Sequence, residues 1–139
     1  KQIDAALLPP EKAFLAEAQG FQIIADSLDL DCHWVPLATT RGFLGENRET
    51  VKKICAIYGE SIRRFKTRPQ QTMEVITRHL PGLAEHPQVI EKCNRLFADL
   101  FEPTLAPSPA SLQSALDEVA RQDPRAKKLT SESIVETSI

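Results

Sequence analysis

Cysteine is scarce in this sequence, and its scarcity excludes two kinds of small domain. The three cysteines, Cys32, Cys55 and Cys93, are too few and too widely separated for a disulfide framework or a zinc knuckle. Cys55 and Cys93 fall on apolar helical stripes, where a free cysteine behaves as a small hydrophobic side chain; a reactive role is the alternative. Since the three histidines also lack the paired spacing of zinc ligands, we predict no metal site and no cofactor.

A strong net charge and long apolar runs are also lacking. The formal net charge of -2 is not the basic excess typical of nucleic-acid-binding domains, so we expect no nucleic-acid partner. No apolar run approaches the roughly 20 residues needed to span a bilayer. With 42% hydrophobic and 26% charged residues, the chain has the composition of one globular domain. It begins at Lys1 without a signal-like stretch, so we expect a cut inside a longer protein.

Proline is abundant, with ten residues, and it divides the chain into helical segments. Apolar residues recur at helical spacing between the prolines. Because proline fits the first turn of a helix and ends a preceding one, its positions predict helix boundaries. The predicted helices span residues 10–20, 47–69 with Asn47 as N-cap, 69–81, 87–103 and 108–123.

The helix predicted over residues 47–69 is the longest and carries a marked apolar stripe. We expect its side chains Ile54, Tyr58 and Ile62 to be buried, so that Ile54→Ala would cost about 2–5 kcal/mol. A basic cluster closes this helix, which suits the negative end of the helix dipole. A solvated helix end explains this cluster, or else a docking patch or a nucleic-acid patch does; the cluster consists of Arg63, Arg64, Lys66 and Arg68.

Three short segments favour strands. Residues 3–8 and 21–26 are apolar runs on either side of the first helix, and this order predicts a parallel βαβ unit. Residues 34–40 are predicted to be extended, with Pro36 confining them to an edge or a crossover. The predicted fold class is therefore α/β, with a small βαβ unit followed by a mostly helical segment.

Four sequence runs, in their order along the chain, resemble one family. These are QIDAALL at residues 2–8, LATTRGFLGENRETV at 37–51, RRFKTRP at 63–69 and SIVETS at 133–138. Together they resemble the C-terminal half of a periplasmic solute-binding protein of an ABC importer. The closest type is that of nitrate, sulfonate and taurine binders, which includes binders of thiamine precursors. Glu136 departs from the aspartate that is usual in the last run.

The resemblance implies the C-terminal part of a type II periplasmic-binding-protein fold. Residues 1–33 would be the end of the second lobe, residues 34–44 a hinge crossover strand, and residues 45–139 the C-terminal helices of the first lobe. Such a protein captures a small anionic or heterocyclic solute by hinge closure and delivers it to a membrane permease. It is periplasmic or anchored at the cell surface, and it is not an enzyme.

The first candidate ligand-binding segment is Leu8, Pro9, Pro10 and Glu11. It lies where the first predicted strand meets a helix N-terminus, the edge at which open α/β sheets bind ligands. Two prolines remove N–H donors and Glu11 repels anions, so this segment favours an apolar or heterocyclic group. The alternative is that Pro9 and Pro10 only end a strand and start a helix.

The second candidate segment is Thr39, Thr40 and Arg41. Hydroxyl groups and a guanidinium can hydrogen-bond a sulfonate, nitrate or carboxylate, the guanidinium in a bidentate way. Alternatively, the threonines are ordinary strand residues and Arg41 is solvated. Trp34 lies nearby in the sequence and either stacks on a ligand ring or anchors a core.

Two other function classes remain open. The amphipathic helices also suit a helical protein-interaction domain without a small-molecule ligand. A pyrimidine-precursor synthase of the same fold is a third hypothesis, but it needs a Cys and His cluster that the sequence lacks. In every case the apolar stripes call for a covering surface. We therefore expect the chain alone not to be the functional unit, and expect its missing N-terminal half or a second copy to cover it.

Overall fold

The computed structural model describes residues 3–26 and 37–138. Of these residues 68% are helical, and none is in a strand. The described part of the chain is therefore an all-helical fold, and the predicted α/β class is wrong. None of its helices is both long and apolar enough to cross a membrane.

Seven α-helices form the described structure, and prolines begin four of them, as predicted. Two short 3-10 helices, Pro81–Leu83 and Pro124–Lys128, follow the fourth and the sixth. The α-helices are α1 (Pro10–Ala18), α2 (Arg41–Glu46), α3 (Arg48–Thr67), α4 (Pro69–His79), α5 (Pro87–Leu100), α6 (Pro109–Gln122) and α7 (Ser131–Ile134).

Local hydrogen bonds explain several of these boundaries. The Ser108 hydroxyl accepts a hydrogen bond from the Ser111 N–H at 3.3 Å and so caps α6, as the sequence predicts. Asn47 does not act as a side-chain N-cap of α3, because its Nδ2 instead donates to the Phe43 carbonyl at 3.1 Å. That bond serves the carbonyl end of α2, a helix that the sequence analysis did not predict.

The C-terminal end of α1 is a Schellman motif. Gly20 adopts φ +93°, a left-handed conformation that glycine reaches without a Cβ penalty. Its N–H donates to the Glu17 carbonyl at 2.9 Å, and the Phe21 N–H donates to the Ala16 carbonyl at 3.1 Å. Gly20 therefore ends the helix as the sequence indicates.

The predicted strands are not strands. Residues 3–8 and 21–26 have no regular secondary structure and are exposed; Leu7 is 102% and Ile24 83% accessible. A strand forms only where another strand supplies its ladder hydrogen bonds, and no described segment does so. Residues 34–36 of the third predicted strand lie outside the described residues, 37–40 are irregular, and 41–44 belong to α2 rather than to a crossover strand.

The chain divides into two compact units, and each contains two separate stretches of sequence. Unit 1 comprises Lys1–Asp26 and Glu60–Pro103. In its core, α5 packs against α1 and α4. The buried cluster consists of Leu83, Val89, Ile90 and Cys93, with Phe14, Met73, Ile76 and Phe97 packed against it.

Unit 2 comprises Ser27–Gly59 and Thr104–Ile139. Here α6 packs against the 3-10 helix Pro124–Lys128 and against α7. Hydroxyl-bearing side chains are buried beside apolar ones in this unit. Its buried residues include Val51, Gly59, Ser111, Leu116, Ala126 and Ser131.

The apolar stripe of α3 is only partly buried. Val51 is buried and Ile62 half-buried, but Ile54 is 36% and Tyr58 53% exposed. The prediction that Ile54 and Tyr58 are buried is therefore wrong. Periodicity identifies the apolar face of a helix, but it does not supply the surface that covers it.

Candidate ligand-binding site

Thr40 starts α2 and uses its side chain to do so. Its hydroxyl accepts a hydrogen bond from the Phe43 N–H at 3.2 Å, which satisfies one of the free donors of the first turn. Thr39 precedes the cap and is exposed. Of the two predicted threonine hydroxyls, that of Thr40 thus has a structural role at the helix start.

Arg41 reaches the C-terminal segment of the chain. Its Nη2 donates a hydrogen bond of 2.6 Å to the carbonyl oxygen of Ser133, 92 positions away in the sequence. The residue is exposed. A guanidinium carries five N–H donors in a planar fork, so this single bond leaves donors with which Arg41 can bind an anion.

Arg48 contacts the same C-terminal segment. Its Nη2 donates to the carbonyl and to the hydroxyl oxygen of Ser138, at 2.7 and 2.6 Å, and lies 3.8 Å from Glu136 Oε1. We call the group formed by Arg41, Arg48, Ser133, Glu136 and Ser138 the arginine cluster. It holds residues 133–138 against the start of α2 and α3.

The electrostatics of the arginine cluster favour an ionised Glu136. Hydrogen bonds from the Ser138 hydroxyl and N–H lower the pKa of the Glu136 carboxyl, and the positive charges of Arg48 and Arg41 lower it further. Two guanidinium groups and one carboxylate leave the cluster with a net charge of about +1. A small anion would meet this charge together with the remaining guanidinium donors.

The other predicted segment lies at the start of α1. Pro9 precedes the helix, and its carbonyl accepts hydrogen bonds from the N–H groups of Lys12 and Ala13 at 3.0 and 2.9 Å. Pro9 and Pro10 carry no N–H, and Leu8 is 43% exposed. The segment therefore offers an apolar surface rather than anion-binding donors, as its sequence indicates.

Glu11 affects the ionisation of a cysteine in the core of unit 1. Burial raises the pKa of the Cys93 thiol, and the negative charge of Glu11 raises it further. Cys93 is thus a buried, protonated thiol of the core. This environment supports the structural interpretation of Cys93 over the reactive one, whereas Cys55 is half-buried.

The two predicted segments belong to different units. Residues 8–11 lie in unit 1 and residues 39–41 in unit 2. Trp34 lies outside the described residues. The residues that the site prediction missed are Arg48, Glu136 and Ser138, which the structure brings together with Arg41. All three occur in sequence runs on which the family resemblance rests, and this was the available signal.

Two open depressions lie on unit 1. One, of about 300 Å3, is lined by residues of α1 and α5, where Lys92 pairs with Glu17 at 2.5 Å and lies 5.6 Å from the centre of the Phe14 ring. The other, of about 660 Å3, is lined by α4 and Pro87. Neither includes a residue predicted to bind ligand.

Each side chain of the basic cluster at the end of α3 contacts another residue of unit 1. Arg63 and Arg64 pair with Glu60 at 3.5 and 2.8 Å. Lys66 Nζ donates to the Phe101 carbonyl at 3.0 Å. Arg68 Nη1 lies 3.4 Å from Gln71 Oε1. These contacts favour the helix-end interpretation over a docking patch.

Comparisons with known proteins found no match to this chain. No family model, no curated protein and no solved structure matches it. In residues 3–26 and 37–138, no group of three or more His, Cys, Asp or Glu side chains is placed to hold a metal ion.

Proposed function

We propose that the chain is part of the solute-binding component of an ABC-type importer. The protein captures a small anionic or heterocyclic solute, of the nitrate, sulfonate, taurine or pyrimidine-precursor class, by hinge closure, and passes it to a membrane permease. Its place is the periplasm or the cell surface, and its role is binding without catalysis. The proposal rests on the resemblance of the sequence runs to that family, and it no longer includes the predicted βαβ unit.

One observation carries this proposal: two of the resembling runs meet in unit 2. Residues 37–51 contain Arg41 and Arg48, and residues 133–138 contain their partners, some 90 positions away. Three hydrogen bonds and one ion pair join these runs. The two runs are distant in the sequence but adjacent in the structure, which supports a common role. A chance similarity of short sequence runs would not be expected to place them in contact.

Each of the two segments supports the proposal by itself. The exposed guanidinium of Arg41 in unit 2 can bind a planar or tetrahedral oxyanion through two parallel N–H groups. In unit 1, the proline-led start of α1, with exposed Leu8, suits an apolar or heterocyclic group. The exposed apolar residues of the chain further support a covering polypeptide, either its missing N-terminal half or a second copy.

The experiment is a thermal-shift and calorimetric screen of the protein as its gene encodes it. The probes are nitrate, taurine, an alkanesulfonate and an aminopyrimidine. A true ligand at about 100 times its Kd stabilises the folded protein by about 2.7 kcal/mol, so its Tm rises. Small-angle scattering with the same ligand should show a smaller radius of gyration as the lobes close.

Two arginine variants make the screen specific for the proposed site. Arg41→Gln should weaken binding of an anionic probe at least tenfold, about 1.4 kcal/mol, because a charge-assisted hydrogen bond is lost. Arg121→Gln is the matched control, since Arg121 also lies in unit 2 but pairs with Glu118 at 2.8 Å. The proposal fails if no probe raises the Tm, or if both variants bind equally well.

A helical protein-interaction domain is the second candidate, and the surface of α3 favours it. Ile54 and Tyr58 are exposed on the same helix that carries Glu60 and Arg64 as an ion pair. Apolar anchors at helical spacing are the usual contact of a helix with a groove. Tyr58→Ala and Ile54→Ala would then weaken a partner complex without affecting ligand binding, which separates the two candidates.

A further inference from the structure

The last described residues of the chain comprise a fixed part and an exposed part. The short helix α7 is fixed in unit 2, because it packs against α6 and its first residue, Ser131, is 7% exposed. Residues 135–138 follow it without regular secondary structure. Three consecutive side chains in this stretch are exposed, and we call them the C-terminal strap: Glu136, Thr137 and Ser138.

The contacts of Arg48 with the C-terminal strap share one guanidinium nitrogen. Arg48 Nη2 donates hydrogen bonds of 2.7 and 2.6 Å to the carbonyl and hydroxyl oxygens of Ser138, and it lies 3.8 Å from Glu136 Oε1. The side chains of Arg48 and Glu136 are 40% and 38% exposed. An ion pair this exposed contributes little to stability, because water and salt compete for both charges. A solute can therefore displace the strap from Arg48.

The groups that the C-terminal strap places at Arg48 are those that an anionic solute would place there. Glu136 supplies a carboxylate, and Ser138 supplies a hydroxyl and a carbonyl oxygen. Hydrogen bonds from Ser138 lower the pKa of the Glu136 carboxyl, and the positive charges of Arg48 and Arg41 lower it further. Both guanidinium groups thus act on one carboxylate. A sulfate, sulfonate or carboxylate group would make the same charge-assisted bonds, so it would compete with the strap for the same donors.

We propose that the C-terminal strap is a built-in competitor for the anion site: it occupies Arg48 until an oxyanion binds Arg48 and Arg41 and releases it. This inference rests on the proposed function, because it assigns a regulation to the same site. Arg41 keeps its bond of 2.6 Å to the Ser133 carbonyl, since Ser133 lies in the fixed helix α7, so release is confined to the strap. The apparent affinity for an oxyanion is then the intrinsic affinity multiplied by the fraction of molecules with a released strap.

Fluorescence anisotropy of a label on the strap tests its release. The label is attached at Thr137→Cys in the protein as its gene encodes it, with the native cysteines replaced. Inorganic sulfate is the probe, and sodium chloride at equal ionic strength is the control for screening. We expect sulfate to lower the anisotropy at residue 137 more than chloride does, and a label at Ser114→Cys, exposed on α6, not to respond. In Arg48→Gln the anisotropy at residue 137 should already be low, and sulfate should not lower it further.

Calorimetric titration with sulfate at constant ionic strength gives a second measurement. Glu136→Gln removes the competing carboxylate, so it should bind sulfate about two- to fivefold more tightly than the unaltered protein, the range expected for an exposed ion pair. Glu118→Gln is the matched control, since it removes the same charge in unit 2 from a residue that pairs with Arg121 at 2.8 Å. It should leave the affinity for sulfate unchanged.

The outcomes separate this inference from the proposed function. Sulfate binding with unchanged anisotropy at residue 137, or equal affinities for Glu136→Gln and Glu118→Gln, would overturn the inference and leave the proposed function standing. Sulfate binding to neither the unaltered protein nor Glu136→Gln would also overturn it. Release of the strap by sulfate, in a protein that none of the four solute probes stabilises, would support the inference and contradict the proposed function.

Discussion

In unit 1, apolar side chains from α5 and its neighbours pack in one cluster, whereas in unit 2 two arginines bind the C-terminal segment and hydroxyl groups cap three helices. The cluster contains Val89 and Ile90, which are 1% and 3% exposed. Unit 2 uses Arg41 and Arg48 to hold residues 133–138, and hydroxyl caps to start α2, α6 and α7. Substitutions in the two units should therefore differ in size and in salt dependence.

The difference follows from what each kind of contact gains on folding. Burial of an apolar side chain gains free energy in proportion to the area removed from water, and it depends little on salt. An exposed ion pair or charged hydrogen bond gains little, because water and salt compete for the same groups. We expect unit 1 to be sensitive to cavities and unit 2 to be sensitive to ionic strength and to the loss of caps.

The largest effect is expected for Ile90→Ala, which breaks the core of unit 1. The substitution leaves a cavity beside Val89 and Cys93, so the free energy of unfolding should fall by about 2–5 kcal/mol. Val75→Ala is the control, because Val75 lies in the same unit and is exposed. Chemical denaturation with a common m-value measures both variants. Equal losses for the two would contradict a core centred on α5.

A second core prediction concerns the pH dependence of stability through Cys93. Its pKa is raised in the folded protein, first by burial and then by Glu11, so the folded state binds the thiol proton more tightly than the unfolded state does. Below the ordinary thiol pKa of about 8.5 this group therefore contributes its full stabilisation to the folded state. The free energy of unfolding falls as the pH rises above that value. Cys93→Ala should reduce this alkaline loss, which chemical denaturation across this pH range would measure.

Thiol labelling measures the same environment directly. In variants that retain one cysteine each, Cys93 should react with a disulfide reagent more slowly than the half-buried Cys55 at neutral pH, because the thiolate is the nucleophile. Faster labelling of Cys93 would mean that its thiol is accessible and that the core of unit 1 is open there.

Next in size is the loss of a helix cap in unit 2. Ser108→Ala removes the hydroxyl that accepts from the Ser111 N–H, and the loss should be about 1 kcal/mol. Ser114 is exposed on the same helix, so Ser114→Ala should have almost no effect on stability. Thermal unfolding of both variants compares them. A cost for Ser114→Ala as large as that for Ser108→Ala would contradict the cap.

These local features were the predictable part of the fold. Proline positions and the cap at Ser108 act within a few residues, so the sequence indicated the starts of α1, α4, α5 and α6 correctly. The strands were wrong because a strand depends on a distant partner, and the apolar pattern of residues 3–8 and 21–26 does not include one. Likewise, the apolar stripe of α3 predicted which face of the helix is apolar, but it did not predict whether another surface covers that face.

The candidate site shows the same difference between local features, which the sequence predicts, and long-range contacts, which it does not. Arg41 was predicted from its local chemistry, a guanidinium beside two threonines. Its contact with Ser133, and that of Arg48 with Glu136 and Ser138, join positions about 90 residues apart. No local spacing rule connects such positions, because spacing rules act between residues a few positions apart.

A smaller effect, dependent on salt, is expected for Arg48→Gln. This change removes the charge that faces Glu136 and weakens the bonds to Ser138, so residues 133–138 should become more susceptible to proteolysis. The effect should be greatest at low ionic strength and should diminish in about 1 M salt, where the Debye length is about 3 Å. Arg121→Gln is the control, and equal cleavage of the two variants would contradict the role of the arginine cluster.

The smallest effect is expected for Ile54→Ala on α3. The sequence pattern alone predicts a core position and a loss of about 2–5 kcal/mol, but the side chain is 36% exposed. Removing a partly solvated side chain loses less apolar burial, and alanine is the better helix former, which offsets part of that loss. We therefore expect a loss below about 1 kcal/mol by chemical denaturation. A loss as large as that of Ile90→Ala would mean that a further surface covers this face of α3 in solution, and it would remove the contrast between a buried α5 and an open α3.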